Sequence, residues 1–264
     1  MLLAIAAILC LGIESYWARW SGTRHDDSAI PFVPVPRYIA HAGGGIGNQS
    51  YTNSREAFDA NYLRGFRVFE TDFNWTSDDQ LVLIHDWEAL FEDQFSQSKG
   101  APVPSLSKFL HMKMKGRLTP MSFAELADWL RKHRDARIVT DVKDGNLRAL
   151  KRISEEFPDL VERIIPQIYT FEEYDPVRGM GYGNIILTLY VKNYADEPVV
   201  RFAENQKLFG VTIWKERAKG ALPKKLAALK TAVFAHTVNS LEEEEELEAN
   251  GVSGIYTDFL FDDK

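Results

Sequence analysis

From Tyr38 onward the chain alternates short apolar runs with amphipathic stretches, and this alternation limits the fold more than any other feature. The strand-like runs are Tyr38–Ala40, Phe66–Phe73, Leu81–His85, Ala136–Val142, Arg163–Ile168, Asn184–Leu189, Leu208–Ile213 and Ala232–Ala235. Several are rich in β-branched or aromatic residues. Helix-like segments separate most of them: Ser54–Arg64, Ser122–His133, Asn146–Phe157, Phe171–Tyr182, Asn193–Gln206, Glu216–Lys230 and Ser240–Asn250. Ser122 followed by Glu125 is a capping-box pattern. Pro223 predicts a break in the segment that contains it. Eight strand candidates alternating with helices over roughly 225 residues predict an α/β chain built as a (β/α)8 TIM barrel. A doubly wound open sheet is the alternative, because alternation alone does not establish closure. Gly43–Gly44–Gly45 and Gly47 follow a strand candidate, but no helix opens directly after them. That is neither the dinucleotide fingerprint nor a P-loop.

Two stretches fall outside the rhythm. Residues 87–119 form an apparent insertion containing Phe91, Phe95, Met112 and Met114, and at the end of a barrel strand it is expected to sit over the active-site face. Residues 1–36 precede the alternating region. Met1–Ile13 is almost unbroken apolar sequence, short for a membrane span and similar to the apolar part of a signal peptide, and Ser21–Pro36 reads as a linker. Residues 1–20 are therefore expected to act as a membrane anchor or export signal, with the barrel domain at 37–264 in the cell envelope. One cysteine, Cys10, rules out an intramolecular disulfide and is compatible with either side of a membrane. The hydrophobic share of 45% is ample for a core, and the net charge of −7 argues against a nucleic-acid partner.

Polar residues recur at the C-terminal ends of the strand candidates. The first ends in His41, the second carries Glu70 and Asp72, the third ends in His85 and Asp86, and the fourth carries Asp141 and Lys143. Strand alternation puts Glu70 and Asp72 on one face, and likewise Asp141 and Lys143. Inside a barrel such charges are costly unless they hold a metal or each other. Carboxylates without soft ligands suit a hard divalent cation, Mg2+ or Ca2+. Two histidines could supply a general base and a general acid. Lys143 could contact a phosphate or balance the acids. Singly, each residue has a bland reading: a structural histidine, a turn-capping Asp86, a solvated acid pair. Recurrence at four successive strand ends favours a site.

The motifs then resemble a known family. His41-Ala42-Gly43, Tyr51-Thr52-Asn53-Ser54, Ala57-Phe58, Gly65, Glu70-x-Asp72, Thr76-x-Asp78 and Val82-x-x-His85-Asp86 follow the order and spacing of the glycerophosphodiester phosphodiesterases. The likeness continues through Asp141-x-Lys143, His236-Thr237-Val238-Asn239 and Gly251-Val252-x-Gly254-Ile255-x-Thr257-Asp258. The resemblance implies a TIM barrel that hydrolyses a phosphodiester with a divalent metal. It implies His41 and His85 as the acid–base pair, Glu70, Asp72 and Asp141 as metal ligands, and Lys143, Asn53 and Trp214 as substrate contacts. It also implies that a substrate hydroxyl beside the phosphate serves as internal nucleophile. Two departures bear on the substrate. Ala42 stands where the family usually has Arg, and Asp141 where it usually has Glu. Asp-x-Lys looks more like the sphingomyelinase D branch, so a phospholipase D-like action on intact phospholipid or an envelope polymer is the alternative. A non-catalytic barrel that binds a phosphorylated ligand is a third.

Overall fold

A computed structural model describes residues 33–115 and 117–262. The expected apolar leader and most of the linker lie outside the described residues. One sheet contains nine strands: β1 (Tyr38–Ala40), β2 (Val68–Trp75), β3 (Leu81–Leu83), β4 (Arg137–Val142), β5 (Ile164–Ile168), β6 (Ile186–Thr188), β7 (Gly210–Trp214), β8 (Ala232–His236) and β9 (Gly254–Thr257). Eight run parallel in the order β1-β9-β8-β7-β6-β5-β4-β2, and pairing of β2 back onto β1 closes the ring. The fold is a (β/α)8 barrel.

Membership of the ring differs from the expectation in one strand. β3 does form from the run at Leu81, but it pairs antiparallel with β2 across the Thr76–Gln80 turn and lies outside the ring. His85 therefore follows a hairpin and not a barrel strand. The eighth barrel strand is β9, four residues long, where the sequence offered no extended apolar run. Its Gly254 is required by close approach: a Cβ there would lie 2.2 Å from the carbonyl oxygen of Pro36. Glycine weakens a strand signal even where packing demands it.

Val68, Val139, Ile165, Ile186, Ala232, Phe234 and Tyr256 fill the lower barrel with Val33 and Ile39. Helices cover the outside. Ser54 caps the Arg55–Leu63 helix, whose Phe58 is fully buried against Phe69 and Trp129, each ring 5.3 Å away. The capping box at Ser122 and Glu125 forms on the Phe123–Lys132 helix. The segment holding Pro223 splits into Lys215–Ala218 and Leu222–Ala228, with the proline in the first turn of the second. The insertion folds around two helices the sequence reading did not anticipate, Ala89–Phe95 and Leu106–His111. Phe91, Phe95, Phe109 and Met114 pack there on Val82 and Ile84.

The Phe58 ring packs its helix against β2 and the Phe123–Lys132 helix. Phe58→Ala is expected to destabilise the fold by about 3–5 kcal/mol. Denaturant unfolding checks this, and an unchanged midpoint would contradict the packing described.

Candidate active site

β2 and β4 pair with Asp72 directly opposite Asp141. Neighbouring strands lie about 4.8 Å apart, so register alone brings the two carboxylates together. Glu70, two residues earlier, faces the same way. One oxygen from each of Glu70, Asp72 and Asp141 falls within 4.8 Å of the others, and all three residues are buried.

Each acid is held by its own donors. Lys143 Nζ lies 2.7 Å from Asp72 Oδ1 and 2.7 Å from Asp141 Oδ2. Tyr169 donates its hydroxyl to Asp141 Oδ1 at 2.5 Å, and Tyr190 donates to Oδ2. Asn53 donates to Asp72 Oδ2 at 2.9 Å, and its carbonyl accepts from the Asp72 N–H and the Thr71 hydroxyl. Ala42 takes a left-handed conformation, φ 49°, in the 3-10 turn His41–Gly43, and its N–H donates to Glu70 Oε2 at 2.9 Å. Glu70 Oε1 is buried without a partner. Burial, then the charge of Asp72, pushes the Glu70 carboxyl up to about 8. Burial also acts on Asp72, but Lys143, then His85 and His41, hold it below the usual carboxylate range. Burial and the charge of Asp141 keep Tyr169 and Tyr190 in the phenol form.

Two imidazoles, His41 and His85, lie close enough for their charge to act on Asp72. His41 Nδ1 is 2.9 Å from Asp258 Oδ1. Asp258 in turn accepts from Asn239 Nδ2 at 2.8 Å, and its carbonyl accepts the N–H of Gly45. A Cβ on Gly45 would lie 2.6 Å from that carbonyl, so the contact needs glycine. Burial opposes charge on His41, yet the Asp258 hydrogen bond and the charges of Glu70, Asp258 and Asp72 raise it to about 9. His85 is more open, with Nδ1 2.9 Å from Asp86 Oδ2. His236 lies under Trp214 in a stack at 4.2 Å, and its Nε2 is buried without a partner. Burial, then the charge of His41, pushes it down to about 4, so it is neutral.

The structure thus gathers Glu70, Asp72, Asp141, Lys143 and His41 at one end of the barrel. Trp214 is half exposed on the rim of an open cleft of about 660 Å3, which Tyr190 and Tyr194 also line. Asn53, expected at the substrate, is fully buried, with its amide bonded to Asp72 and Thr71. Asp258, Tyr169, Tyr190 and His236 did not emerge as site residues from sequence reasoning. Asp258 and His236 lay within recognised motifs, whereas nothing separates Tyr169 or Tyr190 from core aromatics in sequence.

No protein-family model and no curated protein matches the sequence. Solved structures do. A glycerophosphodiester phosphodiesterase from Parabacteroides distasonis matches with a TM-score of 0.66 at 16% identity, over 84% of this chain and 92% of the other. One from Thermotoga maritima matches with a TM-score of 0.63 at 16% identity, over 84% and 94%. A phosphodiesterase from Oleispira antarctica, solved with its product sn-glycerol-3-phosphate, matches with a TM-score of 0.61 at 15% identity, over 85% and 93%. At these identities the likeness is one of fold.

The donor set suits a divalent cation. Three hard carboxylates converge, Glu70 keeps one oxygen unsatisfied, and the Lys143 ammonium already bridges two of the acids. A carboxyl raised to about 8 must lose its proton to ligate. Affinity for Mg2+ or Ca2+ is accordingly expected to rise between pH 6 and pH 8 with release of about one proton. Calorimetry in buffers of different ionisation enthalpy measures both. Affinity independent of pH would contradict Glu70 as a protonated ligand.

Proposed function

We propose that this chain is a metal-dependent phosphodiesterase acting on a glycerophosphodiester or a related lipid-derived diester. The observation that carries the reading is the buried Glu70, Asp72 and Asp141 cluster in the barrel fold of known phosphodiesterases. Glu70, Asp72 and Asp141 would hold Mg2+ or Ca2+, which when bound offsets charge on the phosphoryl oxygens.

His41 carries a proton near neutral pH and is fixed through Nδ1 by Asp258, which leaves Nε2 as the acid. His85, oriented through Nδ1 by Asp86, offers Nε2 as the base. In this mechanism His85 accepts the proton of a substrate hydroxyl beside the phosphate. That oxygen bonds to phosphorus as the opposite P–O bond breaks, and His41 protonates the departing alkoxide, leaving a cyclic phosphodiester. Water, giving its proton to His41, then opens the ring as His85 returns its proton to the ring oxygen, which yields glycerol phosphate. Lys143 spans Asp72 and Asp141 and fixes their spacing. Trp214, half exposed beside the cleft, supplies an apolar wall for the leaving group.

Exposed Val191, next in the chain to Tyr190, whose ring lies 5.9 Å from Trp214, favours a second reading, action on intact phospholipid. Turnover of micellar lipid but not of soluble diesters would select it.

The test is a panel of soluble glycerophosphodiesters with Mg2+ or Ca2+. Release of glycerol phosphate and free alcohol is expected, abolished by chelation. His41→Ala should lower kcat about 10²–10⁴-fold. If no diester in the panel turns over and His41→Ala changes nothing, the reading fails.

A further inference from the structure

Tyr51 stands between the two histidines. Its ring meets His41 edge-on at 4.5 Å and 84°, and meets His85 edge-on at 5.5 Å and 87°. The residue adopts φ 58°, a left-handed conformation that an aromatic side chain rarely takes. Its carbonyl accepts from Gln94 Nε2 at 2.8 Å, and Gln94 is a buried residue of the insertion. Packing alone does not account for the hydroxyl, which has no hydrogen-bond partner among the described residues.

Imidazoles aside, the donors around the acids already bond to them. Lys143 serves Asp72 and Asp141, Asn53 serves Asp72, and Tyr169 and Tyr190 serve Asp141. Ala42 has only its N–H, which is given to Glu70. We propose that the Tyr51 hydroxyl is a catalytic donor to a non-bridging phosphoryl oxygen, held between His41 and His85 by the insertion. The inference rests on the phosphodiesterase reading and adds to it the phosphate contact that Ala42 does not make.

The chemistry fits the position. A donor aimed where charge spreads over the phosphoryl oxygens stabilises the transition state more than the ground state. It must keep its proton to do so. Burial, together with Asp258, Asp72 and Glu70, raises the Tyr51 phenol above its usual range, so the hydroxyl stays neutral and no proton moves through it. The ring touches both imidazoles, which ties the residue to the acid and the base.

Tyr51→Phe in the full chain removes one oxygen and keeps the ring. With Mg2+ and a soluble glycerophosphodiester, kcat/KM is expected to fall about 100-fold. The Kd for inorganic phosphate should rise about fivefold. Mg2+ affinity should not change, and neither should the positions of the two limbs of the pH profile. Turnover and phosphate affinity both within about twofold of wild type would overturn the proposal, on the same hydrogen-bond scale. So would a parallel loss of Mg2+ affinity, because the hydroxyl would then be supporting the acids and not the phosphoryl group. A wild type that binds phosphate yet cleaves no diester sinks the phosphodiesterase reading, while the phosphate affinity of Tyr51→Phe still decides the contact.

Discussion

Three carboxylates buried within one small volume are the constraint on which the rest of the site depends. Removing one such charge from water costs several kcal/mol, and like charges side by side add to it. The chain meets that cost in several ways. Lys143 places an ammonium across Asp72 and Asp141, two tyrosines donate to Asp141, and Asn53 braces Asp72. Glu70 alone is left incomplete: one oxygen accepts the Ala42 N–H and the other has no partner. A buried acid with one free oxygen beside two further carboxylates could hold a cation.

The scaffold around the acids follows from this. Ala42 reaches Glu70 with its N–H only because the chain after β1 turns into a left-handed conformation. Asp258 lies just past the end of β9, and by bonding to His41 and to Gly45 it ties the end of the barrel to its beginning. Asn239 holds Asp258 from a third direction. Loops after β1, β8 and β9 thus form one network around His41, while the insertion reaches the same region through Gln94 and Tyr51.

Much of this was legible in sequence. Glu70, Asp72 and Asp141 were visible as charges with strand spacing inside apolar runs, and parallel pairing turns that spacing into convergence. Capping at Ser122 and the break at Pro223 are local effects, so local sequence carries them. What stayed hidden depended on tertiary contact. β9 carries a glycine because Pro36 presses on it, and that close approach erases its strand signal. β3 reads like any barrel strand, since antiparallel pairing leaves no mark on composition. Tyr169 and Tyr190 look like core aromatics until Asp141 is seen beside their hydroxyls. Asn53 was legible as important, and its side chain is buried and bonded to Asp72 and Thr71.

The central claim is that these acids form a single metal centre. Anomalous diffraction from crystals soaked in Mn2+ tests it most directly. The account predicts one strong peak about 2.0–2.6 Å from oxygens of Glu70, Asp72 and Asp141, with His41 and His85 to either side. No peak at the cluster, with Lys143 still bridging Asp72 and Asp141, would contradict it.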